Sequence, residues 1–149
     1  MSAQVLIAVF LGLAATVEDL WRRNISNWIP LCALLAGFAW HTSQSGWKGA
    51  ATAAIGTTVG FLVFLVFYLL GGMGGGDVKL MAGFGALLGL SRLIEAALWT
   101  AILGALLAAA VLGFSWLRSR FKKEAVEKPM AIPYAPAITA GVWLSLVPR

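Results

Sequence analysis

Six acidic residues are scattered along the 149-residue chain, and two of them, Asp19 and Asp77, stand where a carboxylate is costly. Each lies at the seam between an apolar run and a short polar connection, and an ionisable group at that depth is a functional hypothesis by default. Two carboxylates that meet have a known use. Held about 3 Å apart they cannot both ionise, so the pair shares a proton. The ionised member takes a proton from water as that water attacks an amide carbonyl, and the protonated member polarises the carbonyl oxygen. Such hydrolysis needs no covalent intermediate, no metal and no cofactor. Three of the remaining four acids have plainer readings. Glu124 and Glu127 pair with lysines in a charged connection, and Glu95 suits the first turn of a helix that Ser91 is placed to cap.

Around Asp77 the chain reads Gly71-Gly72-Met73-Gly74-Gly75-Gly76-Asp77-Val78-Lys79-Leu80. So little side chain makes poor lipid-facing helix, and irregular backbone at membrane depth is tolerated only inside protein or beside a water-filled cavity. A cleft beside Asp77 is expected, open to close approach by an extended peptide backbone. The plainer alternative is a flexible turn with Asp77 as the N-cap of the next helix. Rival chemistries find little support. His41 is the single histidine and Cys32 the single cysteine, so a Ser/His or Cys/His centre and a histidine-rich or CxxC metal site are poorly served. His41 reads as an interfacial polar residue and Cys32 as a small apolar core residue.

The elements that position these residues are membrane helices. Hydrophobic residues make up 60% of the chain and charged residues 11%, against roughly 45–50% and 25% in soluble domains. Apolar runs cover Val5–Val17, Trp28–Trp40, Ala50–Leu70, Val78–Leu90, Leu93–Leu117 and Met130–Val147. As a single helix, Val78–Leu117 would reach about 60 Å, about twice a hydrocarbon core of roughly 30 Å, so it divides near Ser91 and Arg92. The expectation is an all-α membrane protein of about six transmembrane helices in one domain, residues 1–149. The first run lacks the basic flank and small-residue cleavage site of a removed signal peptide. Trp28, Trp40, Trp47 and Trp116 fit an interfacial belt. The GxxxG spacings Gly56/Gly60 and Gly85/Gly89 favour close packing inside the chain over a dimer contact.

The net charge of +5 is distributed for orientation and does not call for nucleic acid. Near the odd connections lie Arg22, Arg23, Lys79, Arg118, Arg120, Lys122, Lys123 and Lys128, whereas the other side carries Lys48, Arg92 and Arg149. By the positive-inside rule both termini are outside and the odd connections cytoplasmic. Asp19 and Asp77 then share the cytoplasmic face.

Three segments resemble the type IV prepilin peptidase family. Gly74-Gly75-Gly76-Asp77 followed by Val78-Lys79-Leu80 is similar to its GxGD motif. Asp19-Leu20-Trp21-Arg22-Arg23-Asn24-Ile25-Ser26-Asn27 resembles its first motif, an aspartate at a helix end followed by basic residues and Ile-Pro-Asn. Ile132-Pro133-Tyr134-Ala135-Pro136 resembles its C-terminal Ile-Pro-aromatic-x-Pro signature. The matches fall in order along almost the whole chain. Ser26 replaces the usual proline, which leaves the turn after Asp19 less rigid. Neither the zinc-binding cysteines nor the methyltransferase region of larger relatives is represented, so the resemblance is to the short, peptidase-only branch serving tight-adherence pili.

The resemblance implies an aspartic endopeptidase in the inner, cytoplasmic membrane that cleaves the leader of a prepilin or pseudopilin at the cytoplasmic face. Asp19 and Asp77 are its catalytic pair, Gly74 and Gly76 shape the loop, and Lys79 orients site or substrate or serves only as a topogenic charge. Its partners are the substrate's helix and the lipid bilayer. Apart from the resemblance, Pro133 and Pro136 near the start of the last span read either as breaking its first turn and forming a wall of the cleft or as an ordinary helix start. Two other classes place aspartates similarly: a small proton or ion transporter, whose sites would approach the bilayer midplane, and a non-enzymatic pilus or secretion assembly protein, which would need neither aspartate as an acid.

Overall fold

The computed structural model describes residues 3–121 and 133–147, which form four helices: α1 (Ala3–Arg22), α2 (Trp28–Leu69), α3 (Gly75–Phe121) and α4 (Ala135–Ser145). Among the described residues there is no strand. Three helices are long and apolar enough to cross a membrane, α1, α2 and the Gly75–Leu117 part of α3, and α4 is a shorter apolar helix.

The two longest helices are broken. In α2 the backbone leaves helical geometry at Ser45 (φ −141°, ψ 16°) and Gly46 (φ 54°, ψ −132°), and in α3 at Gly89 (φ 71°, ψ 172°). Gly46 and Gly89 take positive φ, which costs glycine nothing and burdens any residue with a Cβ. The break in α2 falls in the polar stretch His41–Lys48, between the apolar runs Trp28–Trp40 and Ala50–Leu70. That in α3 comes at Gly89, before the Ser91-Arg92 interruption that hydropathy alone suggests, because a glycine tolerates the required conformation. Apolar runs also end sooner than helices do. α1 continues through Glu18 and Asp19 to Arg22, since polar side chains on the last turn leave its backbone hydrogen bonds intact.

Close backbone contact joins the pieces. A Cβ on Gly56 would overlap the Gly85 carbonyl, and one on Gly60 would lie 2.6 Å from the Met81 carbonyl oxygen, so both GxxxG spacings serve packing within the chain. α1 and α4 are tied by polar side chains: the Thr139 hydroxyl donates to the Gly12 carbonyl (3.0 Å) and accepts from the Thr16 hydroxyl (3.0 Å). Beside the α3 break, the Leu87 carbonyl accepts from Gln4 Nε2 (2.6 Å) and lies 3.1 Å from His41 Nε2. His41 thus contributes to packing between helices.

Phe84, Ile29, Leu80, Met81, Leu87, Ile138 and Val142 are fully buried, whereas Phe10, Leu35, Leu62, Leu98 and Phe114 face outward. An apolar exterior of this extent suits hydrocarbon surroundings.

Candidate active site

α1 carries Asp19 on its last turn, facing inward and buried. The helix closes with an Arg23 N–H to Asp19 carbonyl bond (2.9 Å), and Arg23 adopts φ 50°, a left-handed terminus seldom taken by a residue with a side chain. The chain turns there and runs through Asn24 and Ile25 into α2. Across the bundle, the N-terminus of α4 points at the first aspartate: the Ala135 N–H donates to Asp19 Oδ2 (3.1 Å). A proline at the second position of α4 suits this arrangement, since the first helical N–H groups have no partner inside the helix.

Asp77 is the third residue of α3. It is not the N-cap: its Oδ2 reaches back to accept from the Gly74 N–H (3.1 Å), and its own N–H donates to the Gly74 carbonyl (3.1 Å). This is the returning half of a capping box, with Gly74 at the helix boundary. Oδ1 is buried and has no hydrogen-bond partner among the described residues. A buried carboxylate oxygen in that condition is costly as structure and useful as chemistry.

The two carboxylates line one cleft of about 220 Å³. Arg23, Asn24 and Ile25 form one wall, the Gly74–Gly76 backbone the second and Pro133 the third. Gly76 faces Ile25, whose Cβ would stand 3.3 Å from a Cβ placed there, so the small residue sets the approach of the walls. Lys79 is outside the lining. It is exposed, and its Nζ donates to Asn27 Oδ1 (3.0 Å), joining the start of α3 to the turn that follows α1. Ile132 and the basic stretch from Lys122 to Lys128 lie outside the described residues.

A larger cavity of about 530 Å³ lies between the later parts of α2 and α3, lined by apolar residues such as Val63, Phe67 and Leu98. It holds no carboxylate, so the smaller cleft is where acid–base chemistry is possible. Among the described residues no group of three or more His, Cys, Asp or Glu stands together.

Residues 5–118 match the family of type IV leader peptidases. The chain belongs to that family. It is 38% identical over 89 residues to the prepilin leader peptidase/N-methyltransferase of Bacillus subtilis, a match covering 58% of this chain and 32% of that protein. It is 30% identical over 149 residues to the corresponding protein of Aeromonas hydrophila, and equally to that of Aeromonas salmonicida, covering 95% of this chain and 48% of each relative. The chain thus spans half or less of the length of these curated relatives. No solved structure matches it. The family match contains Asp19 and the whole Gly74–Asp77 segment, and the Aeromonas matches extend over nearly all of the chain.

Two contacts at the site are invisible in the residue types. The Ala135 N–H that holds Asp19 comes from a backbone 116 positions away, and its only sequence signal is the proline pair that marks a helix start. The second contact joins Glu18 to Ser26; at Glu18, two positions in the same turn are acidic and nothing in their spacing shows which faces inward.

Proposed function

We propose that this single domain, residues 1–149, is a membrane-embedded aspartic endopeptidase that removes the leader of type IV prepilins or pseudopilins at the cytoplasmic face of the inner membrane. The observation that carries the reading is the meeting of Asp19 and Asp77, from separate helices, in one cleft walled by glycine backbone. Asp19 Oδ2 is held by the Ala135 N–H and Asp77 Oδ2 by the Gly74 N–H. Each carboxylate is therefore fixed through one oxygen while a second can address water or substrate. One ionised carboxylate accepts a proton from the attacking water as the protonated partner gives its proton to the carbonyl oxygen; when the C–N bond breaks, the first passes the water's proton to the departing amine nitrogen and the hydroxyl returns the other proton to the partner, which restores the pair. Gly74 and Gly76 keep the wall low enough for an extended peptide, and Lys79, through Asn27, positions the turn after Asp19.

Helix lengths support about six spans, an even number that leaves both termini on the same side of the membrane, outside by the charge distribution. The shared cleft requires the end of α1 and the start of α3 to lie on one side, yet α2 between them has 42 residues, about 63 Å if straight and about twice a hydrocarbon core. A turn back at Ser45-Gly46 resolves this. The same reasoning applies to α3, whose chain must return so that Ala135 can meet Asp19. The charge excess near the odd connections supports a cytoplasmic side for the cleft, where a prepilin would present its leader while its apolar helix stays in the bilayer.

Co-expression with a prepilin, read by the size and N-terminal sequence of the product, tests the activity. Cleavage at the leader junction is expected, and intact prepilin beside well-inserted enzyme would refute it.

A further inference from the structure

The turn that walls the cleft is fastened by a residue with no part in the chemistry. Glu18 Oε2 accepts from the Ser26 N–H (2.8 Å) and Glu18 Oε1 from the Ser26 hydroxyl (2.7 Å). Both oxygens of one carboxylate are thus spent on a single residue eight positions ahead. Bonds to a charged acceptor are the stronger kind, and two of them fix direction as well as distance. Between the ends of this clamp lie Arg23, Asn24 and Ile25, which line the cleft. Ile25 is buried against Gly76, and Asn27, next to Ser26, accepts from Lys79. The turn therefore touches the helix of Asp19 at one end and the loop of Asp77 at the other.

We infer that Glu18 is a positioning residue that, by clamping Ser26, sets the placement of the Arg23–Asn27 turn and through it the separation of the two catalytic walls. This rests on the peptidase reading above. The clamp also changes what Ser26 means. A turn with serine in place of proline is freer as a bare chain, but the serine supplies an N–H and a hydroxyl that proline lacks, and Glu18 engages both. The rigidity comes from a neighbour's carboxylate.

Glu18→Ala should lower kcat by about ten- to hundredfold, the range that a misplacement near 1 Å produces at a reacting centre, with KM little changed and insertion and thermal midpoint near parental. Glu18→Gln retains an oxygen for the Ser26 N–H and an amide for its hydroxyl, so it should recover most of the rate. Ser26→Ala removes only the hydroxyl bond: it should cost less than Glu18→Ala in the parent, and nothing further in the Glu18→Ala background. Hydrogen exchange at the Ser26 amide, measured on the purified protein without substrate, should quicken at least tenfold in Glu18→Ala. An enzyme that processed no prepilin would end the peptidase reading while the exchange measurement still tested the clamp. Unchanged exchange in Glu18→Ala, a parental kcat, or losses that multiply in the double variant would each overturn the inference.

Discussion

A carboxylate buried among apolar helices survives only if something compensates it, and at Asp19 and Asp77 the compensation is partial. Asp19 has the Ala135 N–H and Asp77 the Gly74 N–H, but Asp77 Oδ1 has no partner among the described residues. Structure alone would prefer an asparagine or an apolar residue there. Asp19→Asn and Asp77→Asn keep the size and much of the hydrogen bonding while removing an ionisable member. Cleavage should fall to background in each, with protein level and insertion near parental; substantial processing by either variant would defeat the two-aspartate mechanism. Under the proposed mechanism, in which the two carboxylates hold one proton between them, the pH profile of the parent follows. Raising pH strips that proton and removes the acid, lowering pH protonates both carboxylates and removes the base, so activity should fall on both flanks with two apparent pKa values belonging to the pair. A rate rising without limit toward either extreme would mean that one group works alone.

Helices here approach through glycine, and the consequence is measurable. A Cβ at Gly56 meets the Gly85 carbonyl, a backbone atom that cannot rotate away, whereas one at Gly113 meets nothing. Gly56→Ala should therefore destabilise the protein in detergent by about 1–3 kcal/mol, the usual cost of overpacking. Gly113→Ala, on an exposed part of α3, should be neutral or slightly stabilising through helix propensity. Equal melting of the two variants would show that the α2–α3 contact is looser than described. The GxxxG spacings, the glycine run before Asp77 and the prolines flanking Tyr134 were legible beforehand because each is a local requirement on residue type. Helix ends were less so. Hydropathy stops at Glu18, but backbone hydrogen bonding carries α1 to Arg22 and so places Asp19 inside a helix. The α3 break falls at Gly89, where φ is positive, because conformation decides it and charge does not. The Ala135 contact leaves no mark on composition, since a backbone N–H is common to every residue but proline; the Ser26 contact adds a hydroxyl, but no local pattern pairs that serine with Glu18.

For the whole molecule the deciding issue is how many times each long helix crosses. One cleft holds Asp19 and Asp77, so the turn after α1 and the loop before α3 must share a side, and α2 must cross twice or not at all. Its 42 residues and the break at Ser45-Gly46 favour two crossings, with Ser45 at the far surface. Single cysteines at Arg22, Met73, Lys122 and Ser45 test this with a membrane-impermeant thiol reagent. Cys32, expected in the core, is instead exposed, so the background must be Cys32→Ala, which should retain activity since no thiol enters the proposed chemistry. In intact spheroplasts Ser45→Cys should label and the other three should not; in inverted vesicles the pattern should reverse. Lys122 lies outside the described residues, so its result reports independently on whether α3 returns to the cleft side after Gly89. Labelling of Arg22→Cys and Met73→Cys from opposite sides would separate the two aspartates across the bilayer, and no rearrangement of side chains could then unite them in one cleft.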